Sequence, residues 1–176
     1  GVVTVVGVGT YTLDTATGVV TLVADAAATE GTKAALSYRV TDTYGQTATS
    51  TLTPVIPAAP VGVNDTPTGA YDTNQVISPL ANDTVTPPAT FIPSTLRLCL
   101  TTSTANSSCD LMSLVVPNEG TYTVNPDGTV TFDPLPTFKG TATPVKYVVT
   151  ETSSQQTSAT ITPTVSAPNG PIATPF

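Results

Sequence analysis

Apolar residues recur at every second position in short runs along this chain. Tyr11 and Leu13, Val20 and Leu22, then Leu36, Tyr38 and Val40 share one phase of the alternation. Further on, Tyr122 and Val124, Val130 and Phe132, then Val145, Tyr147 and Val149 repeat it. A period of two is that of a strand with one buried face. The intervening positions are mostly threonine, which suits a solvated pleated surface. Between two such runs, Asn125-Pro126-Asp127-Gly128 reads as a hairpin turn, with proline presetting φ and glycine taking the positive-φ position. Asp14-Thr15-Ala16-Thr17-Gly18 does the same job with one residue more. Gly7-Val8-Gly9 reads as a strand-end turn, since no helix follows to make a phosphate loop of it. Short strands, frequent turns and no helical period predict an all-β fold, an antiparallel β-sandwich of Ig-like kind.

The alternation belongs to a longer repeat. Gly9-Thr10-Tyr11-Thr12-Leu13-Asp14 recurs as Gly120-Thr121-Tyr122-Thr123-Val124-Asn125, and Gly18-Val19-Val20-Thr21-Leu22 as Gly128-Thr129-Val130-Thr131-Phe132. Tyr38-Arg39-Val40-Thr41-Asp42-Thr43 matches Tyr147-Val148-Val149-Thr150-Glu151-Thr152, and Thr51-Leu52-Thr53-Pro54 matches Thr160-Ile161-Thr162-Pro163. The matched blocks lie about 110 residues apart, a typical domain length. Residues 61–166 then make one complete repeat, and residues 1–57 the C-terminal half of the one before. Residues 58–60 belong to a stiff Pro/Ala joint. Residues 167–176 resemble that joint again and begin the next repeat. Gly1 opens directly into Val2-Val3-Thr4-Val5-Val6, which reads as the middle of a domain, so the expectation is a window on a tandem array.

Gly120 to Val124, Gly128 to Pro134, Phe138 to Thr150 and Thr162 to Val165 together resemble the CshA-type fibril repeat of bacterial surface adhesins. Val63-Asn64-Asp65, Leu80-Ala81-Asn82-Asp83-Thr84 and Ser94-Thr95-Leu96-Arg97-Leu98 resemble its N-terminal half. The likeness covers 61–166 well and 1–57 moderately. It implies an extracellular, cell-surface stalk module and names no ligand. Two features depart from the pattern. One is the pair Cys99 and Cys109. The other is Thr152-Ser153-Ser154-Gln155, where a glycine-containing hairpin like Thr43-Tyr44-Gly45-Gln46 would be usual.

Composition narrows the chemistry. The 176 residues hold no histidine and no tryptophan, five cations and a net charge of −7. So few cations cannot coat a phosphate backbone, which argues against nucleic acid as a partner. Without histidine, no serine or cysteine has the usual base beside it, so no enzyme is expected. No run is apolar and long enough to insert in a membrane as a helix. Cofactors and metals are expected to be absent. The weak calcium candidates are Asn64, Asp65, Asp72, Asn82 and Asp83, but calcium wants six to eight oxygens and Asn-Asp is equally a turn former. Lys146 should point away from the core, against an isopeptide cross-link.

Cys99 and Cys109 flank a polar tract between apolar, strand-like residues. That is how a disulfide across a long hairpin loop would look, the alternative being two unrelated small core residues. A bridge would place the chain in an oxidising, extracellular setting.

The half repeat has a consequence of its own. A sandwich lacking the counterparts of Gln75–Leu80 and Thr95–Leu100 leaves Tyr11, Leu22 and Tyr38 facing water and strand edges unpaired. Completion is expected from residues outside the given sequence or from strands of a neighbouring chain. The expected partners are thus neighbouring repeats of the same chain, or neighbouring chains in a self-assembling filament. The leading functional expectation is a stalk or spacer carrying a binding tip. An adhesive module is the alternative, with Tyr44 and Tyr71 the tyrosines outside the core pattern.

Overall fold

The structure is a computed structural model that describes residues 1–25, 27–103, 105–168 and 170. The start of a further repeat expected at 167–176 lies mostly outside the described residues. Among these residues the fold is strand, turn and three short 3-10 turns, with no α-helix. The chain forms two compact units, Gly1–Ala58 and Ala59–Phe176.

The first unit contains β1 (Val2–Val5), β2 (Gly9–Leu13), β3 (Val20–Ala24), β4 (Gly31–Thr32), β5 (Leu36–Thr41), β6 (Thr47–Leu52) and β7 (Val55–Ile56). All its pairings are antiparallel: β1-β2-β3 in one sheet, β5 with β6, and β4 with β7. The second unit begins with β8 (Thr68–Gly69), β9 (Gln75–Ile77) and β10 (Arg97–Leu100). Seven more strands follow: β11 (Ser113–Val116), β12 (Gly120–Val124), β13 (Val130–Pro134), β14 (Gly140–Thr141), β15 (Val145–Thr150), β16 (Gln156–Ile161) and β17 (Thr164–Val165).

These last seven strands reproduce the seven of the first unit in order, partner and register. Tyr11 stands opposite Leu22 as Tyr122 stands opposite Phe132. Tyr38 faces Ser50 as Tyr147 faces Ala159. The backbones even approach alike at one point. A Cβ on Gly9 would lie 2.2 Å from the Val23 carbonyl oxygen, and one on Gly120 2.4 Å from that of Asp133. Only glycine fits there.

Residues 59–112 add to the second unit what the first does not contain. β9 lengthens the β11-β12-β13 sheet by pairing with β13, and β10 pairs with β15. Pro79 and Pro93 each open a 3-10 turn next to these strands, so regular pairing is confined to Gln75–Ile77 and Arg97–Leu100, shorter than the sequence suggests. Two pairings depart from the antiparallel expectation: β8 runs parallel to β17, and just before it Asp65 forms an isolated parallel bridge with Ile161. Parallel neighbours need a long crossover, and here nearly the whole unit lies between them.

The core of the second unit draws on both main sheets. Ile77, Tyr122, Val130 and Phe132 from one meet Leu98, Val145, Tyr147 and Ile161 from the other. Tyr122 and Phe132 lie 4.6 Å apart between ring centroids, and Phe138 meets Phe132 edge-on at 6.3 Å. Each fully buried side chain of this size stabilises the fold by about 1.5–3 kcal/mol. In the first unit Tyr11, on the central strand, is buried and Leu22 half-buried, whereas Tyr38 is exposed. The expectation that all three face water therefore fails at Tyr11.

Candidate functional site

Among the described residues, no group of three or more Cys, Asp or Glu side chains is placed to hold a metal. The two best-defined depressions are shallow and open; one borders the strap at residues 61–67, near the start of the second unit, and the other the residues that follow it, 68–71. One, of about 370 Å³, is bordered by Asn64, Asp65, Ile77 and Asn82. The other, of about 460 Å³, is bordered by Gly69, Tyr71 and Ser166.

The first groove gathers Asn64, Asp65 and Asn82, with Asp83 bonded to the strap beside it. Asp72 is not among its lining residues; it sits in the turn before β9 with φ of 50°. Asp83 is occupied as an acceptor: Val63 N–H donates to Oδ1 at 2.7 Å, and the Tyr147 hydroxyl reaches both oxygens at 2.8 and 2.9 Å. Asn64 Oδ1 accepts Thr160 N–H at 3.0 Å, and Asn82 Nδ2 donates to the Asn64 carbonyl at 3.5 Å. Asp65 differs, because its Oδ2 is buried with no hydrogen-bond partner. Burial, then the charge on Asp83, push its carboxyl up to about 7, and the Asn82 amide offsets part of this. Burial likewise raises Asp83 against the hydrogen bonds from Val63 and Tyr147. The Tyr147 hydroxyl is raised by burial and by its bond to Asp83.

Sequence reasoning placed Tyr147 in the core and the Asn-Asp pairs in turns, but missed that they meet. The available signal was chemical: an inward tyrosine must find a partner for its hydroxyl, and a carboxylate at a strand end can supply one.

Cys99 and Cys109 are joined by a disulfide that closes the polar loop between them. Beside it, Leu98 and Leu111 exchange backbone hydrogen bonds. The bridge covers Val148, so β15 is buried on both faces at that point, where alternation alone predicted solvent. Lys146, on that same outer face, donates to the Ser103 carbonyl at 3.4 Å.

The β15–β16 hairpin also answers how the Thr152-Ser153-Ser154-Gln155 departure is accommodated. Ser154 takes φ of 71°, where Gly45 takes 81°. Glu151 plays the part of Asp42: its carboxylate accepts Ser153 N–H at 2.7 Å and Gln155 N–H at 3.0 Å, and the Ser153 hydroxyl. Burial pushes the Glu151 carboxyl up, but these bonds outweigh it and hold it below the usual carboxylate range. Asp42 likewise accepts Tyr44 N–H and Gln46 N–H.

The second unit is thus a β unit with one main packed core, shallow surface depressions and a side-chain network that holds its own chain together. The family described as the surface adhesin CshA repetitive domain matches residues 57–165, and the chain belongs to that family. No curated protein matches the chain.

Proposed function

We propose that this chain is part of the stalk of an extracellular bacterial surface adhesin, a tandem run of β-sandwich repeats that holds a binding tip away from the cell. The supporting observation is the match of seven strands in the first unit to seven in the second, with the same partners and register. A protein selected for catalysis would concentrate chemistry in one copy; here the repeated positions are core residues and turn formers. The repeat itself acts as a spacer and performs no reaction. Small-angle scattering on a polypeptide carrying several copies of residues 59–165 tests this. A rod whose length grows in proportion to copy number is expected, and a collapsed particle removes the reading.

A second reading is favoured by the apolar face of the first unit, where Tyr38 is 44 % exposed and Val40 56 %. Strands from a neighbouring chain would cover that face and pair the free edges of β3 and β5, making the chain a filament subunit. Sedimentation should then show mass rising with concentration; a chain that stays monomeric at high concentration eliminates it. An adhesive role for the repeat has less behind it, since only Tyr44 stands fully out at a hairpin tip, while the Tyr71 hydroxyl is tied to the Pro136 carbonyl.

A further inference from the structure

The chain enters and leaves the second unit on two neighbouring segments that run the same way. The strap at residues 61–67 leads into β8, and the two lie alongside β16 and β17. Asp65 stands opposite Ile161, Thr68 opposite Thr164 and Gly69 opposite Val165, each pairing parallel. Asp65 N–H donates to the Thr160 carbonyl and Thr162 N–H to the Asp65 carbonyl, both at 2.8 Å. Thr164 N–H reaches the Pro67 carbonyl at 2.8 Å, and Ser166 N–H the Gly69 carbonyl at 2.9 Å. Side chains add to the seam: Asn64 Oδ1 accepts Thr160 N–H at 3.0 Å, and Gln75 Nε2 donates to the Thr164 carbonyl at 3.2 Å. At the entry, a Cβ on Gly62 would lie 2.8 Å from the Ser158 carbonyl oxygen, so the strap backbone rests directly on β16. Val61 and Val63 are also fastened, to the Thr84 backbone and to Asp83 Oδ1.

We propose that this parallel seam makes the second unit a load-bearing module, a clamp that resists tension applied through the ends of its own chain. Tension draws the strap back toward Val61 and β17 forward past Ser166, so the two slide along one shared axis in opposite directions. The hydrogen bonds of the seam cross that axis and are strained together, and none is released before the whole segment moves. An antiparallel hairpin pulled at its two open ends instead meets the load one pair at a time and unzips. Sliding also drags Ile161 and Val165, both buried, out of the core. Among the described residues the first unit has no such seam: β7, the counterpart of β17, pairs with β4, and β1 pairs with β2. The source of the load is the stalk, so the role rests on that reading, whereas the seam itself does not.

Force spectroscopy on the whole chain, held by handles at its two termini, tests this. The second unit identifies itself, because reducing the Cys99–Cys109 bridge lengthens its unfolding step by about 30 Å, the length of chain that the closed loop withholds. Through the termini it should rupture at a force several-fold above that of the first unit. Moving one handle from the N-terminus to Asn74, exposed between β8 and β9, loads the seam from one end so that it peels. The rupture force should then fall several-fold with no residue of the seam altered. Equal forces in the two geometries overturn the proposal, as does a second unit that gives way at or below the force of the first. Should the handle at Asn74 prevent folding, the comparison of the two units in the unaltered chain decides alone. Scattering on the multi-copy polypeptide keeps the two readings apart. A rod with equal forces sinks the clamp alone, and a collapsed particle with unequal forces sinks the stalk and leaves the clamp.

Discussion

Tyr38 and Tyr147 hold the same place in two equivalent hairpins, yet Tyr38 is 44 % exposed and Tyr147 fully buried. The contrast runs along the whole face. Val149 and Val130 are sealed, while Val40 is 56 % exposed and Val20 39 %. Backbone pairing does not account for it, because β5 pairs with β6 in the register of β15 with β16. The difference comes from residues 59–112, which place β9 beside β13, β10 beside β15, and Ile77, Leu96 and Leu98 across the apolar face. Residues 1–58 contain no counterpart. Hairpins of this sequence therefore form from local information, but their apolar face becomes a core only when a separate segment covers it.

Breaking this comparison begins with the tyrosines themselves. Tyr147→Ala should destabilise the second unit by about 3–5 kcal/mol, and Tyr38→Ala should cost the first less than about 1 kcal/mol. Urea unfolding followed by amide exchange in each unit measures both, and equal losses would mean that the Tyr38 face is covered in solution. Removing the bridge is the next largest change. Cys99→Ser with Cys109→Ser should lower the stability of the second unit by about 2.5–3 kcal/mol on the chain-entropy account. Exchange in β5 and β6 should stay as it was.

Two turn glycines sharpen the contrast. Gly18 and Gly128 both have positive φ, but a Cβ on Gly128 would stand 2.6 Å from Pro93 Cβ, whereas nothing lies within 4 Å of one on Gly18. Alanine at either position carries a backbone cost of about 1 kcal/mol, and only Gly128→Ala adds an overpacking cost of about 1–3 kcal/mol. Thermal melts of the two variants give the difference directly. The smallest effect is expected at the β5–β6 and β15–β16 hairpin tips. Ser154→Gly should stabilise by up to about 1 kcal/mol, and Gly45→Ser should destabilise by a similar amount. Opposite signs are the required result, since the two tips share one backbone shape.

Much of the fold was legible because it is local. The alternation Tyr122-x-Val124, the Asn125-Pro126-Asp127-Gly128 turn and the alternation Val130-x-Phe132 specify one hairpin and its register, and Gly128 N–H closes the turn onto the Asn125 carbonyl at 3.0 Å. The disulfide was legible from spacing and flanking apolar residues. What it covers was not, because Val148 lies far from either cysteine in the chain. Thr152-Ser153-Ser154-Gln155 looked unlike Thr43-Tyr44-Gly45-Gln46, yet a carboxylate one residue ahead builds the same hairpin in both. That Asn64, Asp65 and Asn82 line one groove, and that Asp83 accepts from Tyr147, had no local trace in the chain.

The sequence by itself determined the strands, their order, their turns and the repeat, since each depends on side-chain period and backbone preference over a few neighbouring residues. Tertiary structure alone decided which of two identical-looking apolar faces is a core. It also decided that β8 runs parallel to β17, and that the Tyr147 hydroxyl meets Asp83. Those outcomes depend on contacts between segments far apart in the chain. Burial and electrostatic coupling arise only once distant groups exclude water together.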